Sequence, residues 1–348
     1  MYSLTMFGFY IQQPYLYSLY IFNKYSKETI ALLIITSYIF EEFATAFPFG
    51  LFMEFGPKIS YIFFQLFAIL SCLLRLIGGP INNLCANALI SFSKCSAEKI
   101  LSEYRSTFHK NDPSIEFTFS NNLRLAKVIL FLITAGLSQL VFSNSSSNLN
   151  YIYIISIIGL LPSGICAAFY KPKEYEPKSE HTTKSIYLLV GYLFHSLIKI
   201  MIFPRIRFFI DDPKMNNIAL LHLLIFCSAT VGDVIGYYFI CCTRPHIVLC
   251  FSSMILAGLL YTLSYLVEIP YIVVGFLAVI VCMFHISDSF FRYYVNISIY
   301  HRVIVVIITS ITFSILCNAK PQVIANISSL FAVMMNICSI IFTLDLPK

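Results

Sequence analysis

Long apolar runs follow one another along the whole chain, and polar residues collect between them. A bilayer core about 30 Å thick needs roughly 20 mostly apolar residues to cross it as a helix. That ruler predicts twelve segments, at about 3–22, 30–54, 58–77, 81–105, 122–143, 150–169, 185–208, 217–240, 245–265, 268–292, 300–317 and 322–344. The fourth is the least apolar, and the tenth runs into polar residues at its end. Short turns, such as Phe55-Gly56-Pro57, Gly78-Gly79-Pro80 and Ile269-Pro270, separate some of them. Two polar stretches are longer, about 104–121 and 170–184. The second has six segments on either side, so it reads as a linker between two halves, 1–169 and 185–348. The predicted fold class is an all-α polytopic membrane protein of twelve transmembrane helices in two six-helix halves.

Composition supports the pattern. Charged residues are 11% of the chain and hydrophobic residues 58%. An ordinary soluble domain carries about 25% charged residues, so this chain has too little polar surface to cover a water-facing globule. The net charge of +6 is spread over loops and forms no run of Lys and Arg interleaved with aromatics, so nucleic acid is not an expected partner. The first apolar run has no basic start, contains Pro14 and ends in Asn23-Lys24 without small residues for cleavage, and is read as a span.

Basic residues bias the orientation. With both termini in the cytoplasm, the cytoplasmic loops hold Lys58, Arg105, Lys110, Lys171, Lys173, Lys178, Lys184, Arg244 and Arg302, plus Lys348. Lys24, Lys27, Arg75, Arg205, Arg207, Lys214 and Lys320 fall on the opposite side. The sequon Asn144-Ser145-Ser146 lies in a predicted outer loop. The expected location is a plasma or internal membrane.

The polar residues that interrupt the apolar runs carry the functional information, because an ionised side chain at membrane depth costs about 2.5 kcal/mol or more. In the fourth segment Asn83, Asn87, Ser91, Lys94, Glu98 and Ser102 recur every three or four residues and share one helix face. They read either as the wall of a translocation cavity or as an interfacial stripe that meets water. Lys94 and Glu98 can pair at i,i+4. In the seventh segment His195 and Lys199 share a face, suited to holding an anion or shuttling a proton; the alternative is a packing histidine beside a snorkelling lysine. The tenth segment ends in His285, Asp288, Ser289 and Arg292, a gate, a solute-binding group or a structural ion pair. Glu41 and Glu42 lie side by side near the middle of the second segment, where two carboxylates are costly to ionise together. They are the proton-coupling candidates, set against a simple hydrogen-bonding role. Gln12-Gln13-Pro14 can bind solute or break the first helix.

Enzyme signatures are missing: no HExxH, GxSxG or Walker-type loop occurs. The eleven cysteines mostly stand singly in apolar runs, and the adjacent pair Cys241-Cys242 has no second pair to complete a zinc set. No enzyme activity, cofactor or metal is expected.

Twelve segments in two halves, with polar faces on the first, fourth, seventh and tenth, resemble the major facilitator superfamily. The stretch Gln12-Gln13-Pro14-Tyr15-Leu16-Tyr17-Ser18-Leu19-Tyr20 is similar to Gln-Gly-Pro-Tyr-Val-Tyr-Lys-Leu-Tyr of its molybdate-anion transporter group (major facilitator superfamily domain-containing protein 5). Phe55-Gly56-Pro57-Lys58 is similar to that group's Tyr-Gly-Arg-Lys, and Leu70-Ser71-Cys72-Leu73 to its Leu-Ser-Cys-Leu. Leu101-Ser102-Glu103-Tyr104 resembles Phe-Glu-Ser-Trp shifted by one, and Phe290-Phe291-Arg292 resembles Phe-Leu-Arg. The chain departs from the group at Phe9 (an acid there), Met53 (the loop aspartate, with Glu54 adjacent), Pro57 (the loop's first arginine), Ala86-Asn87 (Gly-Arg) and His195 (Glu). The resemblance implies a fold in which the first, fourth, seventh and tenth helices line a central cavity. It implies a monomeric secondary transporter of a small solute, favouring an anion such as molybdate. The cavity candidates are Gln12, Asn87, Lys94, Glu98, His195, Lys199, His285, Asp288 and Arg292. The altered loop motif leaves a second reading, a transport-inactive receptor or scaffold built on the same fold.

Overall fold

A computed structural model describes residues 2–46, 57–108, 113–144, 150–169, 186–210, 218–242, 245–263, 270–294, 299–316 and 320–344. Among the described residues are thirteen helices: α1 (Tyr2–Tyr10), α2 (Leu16–Phe22), α3 (Lys27–Ala46), α4 (Pro57–Ile77), α5 (Pro80–Phe108), α6 (Pro113–Asn144), α7 (Asn150–Phe169), α8 (Ile186–Ile210), α9 (Ile218–Cys242), α10 (Pro245–Leu263), α11 (Pro270–Tyr294), α12 (Ile299–Leu316) and α13 (Pro321–Leu344). Each of the twelve predicted segments holds helix, and the first holds two. Six stretches among the described residues are long and apolar enough to cross a membrane: Lys58–Ile77, Asn150–Phe169, Ile186–Pro204, Leu220–Phe239, Val273–Phe291 and Gln322–Ile341.

The break in the first segment has a local cause. Pro14 has no N–H to donate, and its ring would clash with the carbonyl four residues before it. The chain turns over residues 11–15 and restarts at Leu16. Ser26 starts α3 by accepting the Thr29 N–H at 3.2 Å. The exposed Glu28 lies in that first turn, where the N–H groups of the helix start and the Ser26 hydroxyl hold its carboxyl below its ordinary range. The α4–α5 turn uses positive φ at Gly78 (76°) and Gly79 (89°), values that side chains with a Cβ rarely adopt.

One predicted boundary is corrected. Within the polar stretch 104–121, expected as a loop, residues 104–108 and 113–121 are helical: α5 continues to Phe108 and α6 starts at Pro113, and 109–112 lie outside the described residues. Polarity excludes a segment from lipid but does not oppose a helix in water, and proline is well suited to a first helical turn. At 29 residues, α5 is about 43 Å long, so it outruns the bilayer core. The linker 170–184 lies outside the described residues.

The chain divides into two compact units: Met1–Lys178 with Phe208–Leu223, and Ser179–Arg207 with Leu224–Lys348. In the first, α5 packs between α3 and α4, and α7 packs on α4 and α1; in the second, α10 packs on α13 and α11. Both are apolar outside. Leu66, Ile158, Phe251, Met254 and Leu330 are all exposed, a surface that suits lipid and not water. Small hydroxyl residues sit inside, among them Ser71, Thr134, Ser138, Ser163, Ser252 and Thr309. Many cap carbonyls of their own helix, as Ser71 does on Ala68 (2.8 Å) and Thr309 on Val305 (2.8 Å). The chain is an integral, multi-pass membrane protein.

Helix α9 lies close against α11 at Gly232. A Cβ added there would lie 2.3 Å from the Cys282 carbonyl oxygen and 2.9 Å from His285 Cβ. Backbone cannot move aside as a side-chain tip can, so Gly232→Val is expected to lower thermal stability by about 3 kcal/mol or abolish folding. Gly258→Ala, where an added Cβ meets nothing within 4 Å, is expected to be neutral or slightly stabilising. Thermal unfolding of the purified protein in detergent checks the pair.

Candidate functional site

In the first unit the break between α1 and α2 is held by a buried arginine. Arg75, on α4 and 4% exposed, donates from Nη1 to Gln12 Oε1 (2.7 Å) and from Nη2 to Asn87 Oδ1 (2.9 Å). Its guanidinium lies 5.7 Å from the Tyr153 ring centroid, within cation–π range. Gln12 Nε2 in turn donates to the Gly8 carbonyl (2.8 Å) and Ser156 Oγ (2.7 Å). Asn87 Nδ2 donates to the Leu33 carbonyl on α3 (2.7 Å). Among the described residues every partner of the guanidinium is neutral, and its Nε meets no acceptor. Arg75 is therefore not the outer-loop charge that orientation counting made it. Its side chain turns inward, because only there does it meet two amide oxygens.

The polar stripe of α5 runs along α3. Asn83 Nδ2 donates to Tyr25 OH (3.0 Å), Asn87 to the Leu33 carbonyl, and Ser91 Oγ to the Ser37 carbonyl (3.2 Å). Lys94 Nζ meets Glu41 Oε1 at 3.0 Å, with both side chains partly exposed. Leu33, Ser37 and Glu41 are four residues apart, so they too share one face. Lys94 thus pairs across helices with Glu41. The side chains of Glu42 and Glu98 lie outside the described residues.

In the second unit α8, α9 and α11 bring together a group of opposite character. His195 Nε2 lies 3.1 Å from Asp288 Oδ1, and His285 Nδ1 lies 3.2 Å from Asp233 Oδ1. Ser289 Oγ donates to the same Asp233 oxygen at 3.3 Å. Phe284 stacks on His195 at 4.0 Å between centroids and 13° between planes, and Phe291 stands 5.1 Å away. Lys199 lies one helical turn beyond His195 and is half-buried. The Arg292 side chain lies outside the described residues.

Within each unit the structure joins candidates that the sequence placed on separate helices: Gln12 with Asn87 through Arg75, Lys94 with Glu41, and His195 with Asp288. Sequence reasoning missed Arg75 and Asp233. Asp233 carried one signal, an acid in an apolar run. It has no charged neighbour three or four residues away to form a stripe.

No protein-family model matches the chain, and no curated protein matches it in sequence. Solved structures do match it. The E. coli fucose:proton symporter aligns over 98% of this chain and 96% of its own length, with a TM-score of 0.64 and 15% identity. The nucleoside transporter NupG aligns over 98% and 97%, with a TM-score of 0.64 and 13% identity. A variant of that transporter reaches a TM-score of 0.69 at the same identity, over 98% of both chains.

The chain has the major facilitator fold. At this level of identity the likeness is one of fold, and it spans the full length of the transporters compared. The major facilitator fold here carries a basic cluster in one unit and a histidine–carboxylate cluster in the other.

Loss of Arg75 is expected to loosen the first unit. Arg75→Leu removes two charge-assisted hydrogen bonds, leaves Gln12 Oε1 short of a donor and leaves Asn87 Oδ1 with the Tyr20 hydroxyl at 3.4 Å, a loss on the order of 3 kcal/mol. Arg75→Lys keeps the charge but not the two-pronged grip, and is expected to fall between the two. Thermal unfolding of the three proteins in one detergent gives the order.

Proposed function

We propose that this chain is a secondary active transporter of a small solute. The observation that carries the reading is the full-length likeness in fold to two transporters, the fucose:proton symporter and the nucleoside transporter. In this reading twelve spans form two six-helix halves, 1–169 and 185–348, joined by a cytoplasmic linker at 170–184, with both termini cytoplasmic. The halves rock about a central solute site in alternating access.

The favoured solute is a small anion such as molybdate. Arg75 supports this choice. A guanidinium removed from water and surrounded by neutral groups remains an uncompensated charge, and a small oxyanion supplies the missing countercharge with the fork geometry that arginine suits. Lys94, His195, Lys199 and Arg292 are the further basic candidates, with Gln12, Asn87, Glu98, His285 and Asp288 as polar ones. Glu41 and Glu42 are the candidates for proton coupling.

Uptake into vesicles reconstituted with the full chain tests the reading. The panel is molybdate, sulfate, phosphate, fucose and nucleosides. Uptake of an oxyanion is expected, and Arg75→Lys and Lys199→Ala are each expected to reduce it by about tenfold, equivalent to about 1.4 kcal/mol of lost solute or transition-state binding. Folded protein that takes up no member of the panel would favour the receptor or scaffold reading. Uptake of fucose or a nucleoside alone would overturn the anion.

The coupling assignment makes its own prediction. Glu41→Gln is expected to leave equilibrium solute binding within about twofold of the parent while abolishing the stimulation of uptake by an imposed pH gradient. If the gradient still drives uptake in Glu41→Gln and in Glu42→Gln, neither residue carries the proton.

A further inference from the structure

The histidine–carboxylate cluster of the second unit has a geometry that hydrogen bonding alone does not require. Asp233 on α9 with His285 and Asp288 on α11 each offer one ligand atom, and these three atoms all lie within 4.8 Å of one another. His195 Nε2, on α8, is not one of the three but lies 3.1 Å from Asp288 Oδ1. In a tetrahedral site with metal–ligand bonds of about 2.0–2.1 Å, neighbouring ligand atoms stand about 3.3 Å apart. The His285–Asp233 separation, 3.2 Å, is close to that edge length.

Three further features favour a bound cation. His285 and Asp288 stand at i,i+3 on one helix, the spacing by which bundle proteins present a paired nitrogen and oxygen ligand to one metal. Asp233 lies on the stretch of α9 between Gly232 and Gly236, where the backbone runs against α11. A Cβ on either glycine would come within 2.9 Å of the Cβ of His285 or Ser289. The spacing between ligands on different helices is thus set by backbone contact, not by mobile side chains. The ligands are also held by outer contacts: Ser289 donates to Asp233 Oδ1, and His195, stacked on Phe284, lies against Asp288 Oδ1. Such outer contacts fix the direction of metal ligands.

We propose that Asp233, His285 and Asp288 form a binding site for one divalent transition-metal ion, with Zn²⁺ as its best match and a fourth position left for water. One imidazole nitrogen with two carboxylate oxygens suits Zn²⁺, Mn²⁺ or Fe²⁺ better than Mg²⁺ or Ca²⁺, which take oxygen ligands in larger number. The site does not depend on the chain being a transporter. No sequence motif announced it because its ligands come from two helices, with His285 52 residues from Asp233.

The test is binding, not activity. The full chain is purified in detergent, stripped with a chelator and titrated with ZnCl₂ by calorimetry, with MgCl₂ as comparison. One Zn²⁺ per chain is expected, at least 100-fold tighter than Mg²⁺. His285→Ala and Asp233→Asn, each shown to be folded by thermal unfolding, are expected to weaken it tenfold or more; Asp233→Asn keeps the size and can still accept from Ser289. Co²⁺ in place of Zn²⁺ is expected to give the intense visible absorption of a four-coordinate ion, lost in both variants. No saturable Zn²⁺ binding, binding that Mg²⁺ matches, or Zn²⁺ binding that survives both substitutions would each overturn the site.

Discussion

A polar group turned away from water in this protein must find its partner within the protein, and that constraint organises both units. It explains why many serines, threonines and amides set within the apolar interior turn to carbonyls or to one another. The outer surface needs no polar group because lipid offers none a partner. Inside, Ser71 and Thr309 bend back to carbonyls of their own helices. Gln12, Asn83 and Asn87 reach across to other helices. The amide–guanidinium knot at Arg75 is the strictest case. The helix break at Pro14 leaves irregular backbone inside a predicted span, a condition tolerated only where protein or a lined cavity covers it. Gln12 covers it here by joining the Gly8 carbonyl, Ser156 and Arg75 at one point.

The two clusters differ in the sign of charge they hold. The first unit buries a cation among neutral partners, and the second gathers two carboxylates with two imidazoles. In a medium of low dielectric such groups are costly unless something of opposite sign completes them. This is the physical ground for reading the first as an anion's partner and the second as a cation's. The same fold occurs in a fucose symporter and a nucleoside transporter, so fold alone does not fix a solute.

How much the sequence disclosed follows from which forces act locally. Helix positions were legible because lipid imposes its thickness on every apolar run. The break at Gln12-Gln13-Pro14 was legible because proline acts on its own turn. The α5 stripe was legible as a periodicity, but its partner was not, since Leu33 and Ser37 present backbone carbonyls that any residue type would supply. Arg75 was misread because an arginine one turn from Gly78-Gly79 looks like an interfacial charge. Only the three-dimensional position of Gln12 and Asn87 turns it inward. Asp233 failed for the opposite reason: one acid makes no pattern, and the residues that give it meaning lie on other helices. Helix position and helix face are thus properties of short windows, whereas a site is a property of windows brought together.

Burial also ranks the ionic contacts within the first unit. The Lys94–Glu41 side chains are 29% and 24% exposed, so each retains part of its hydration. An ion pair in contact with water contributes little net stability, because water replaces either partner at small cost. Arg75, at 4%, has no such substitute, and leaving either of its amide partners uncovers a buried charge. Of the polar contacts between α3 and α5, the buried one from Asn87 to the Leu33 carbonyl is therefore the costlier to break, because it lies beside the guanidinium.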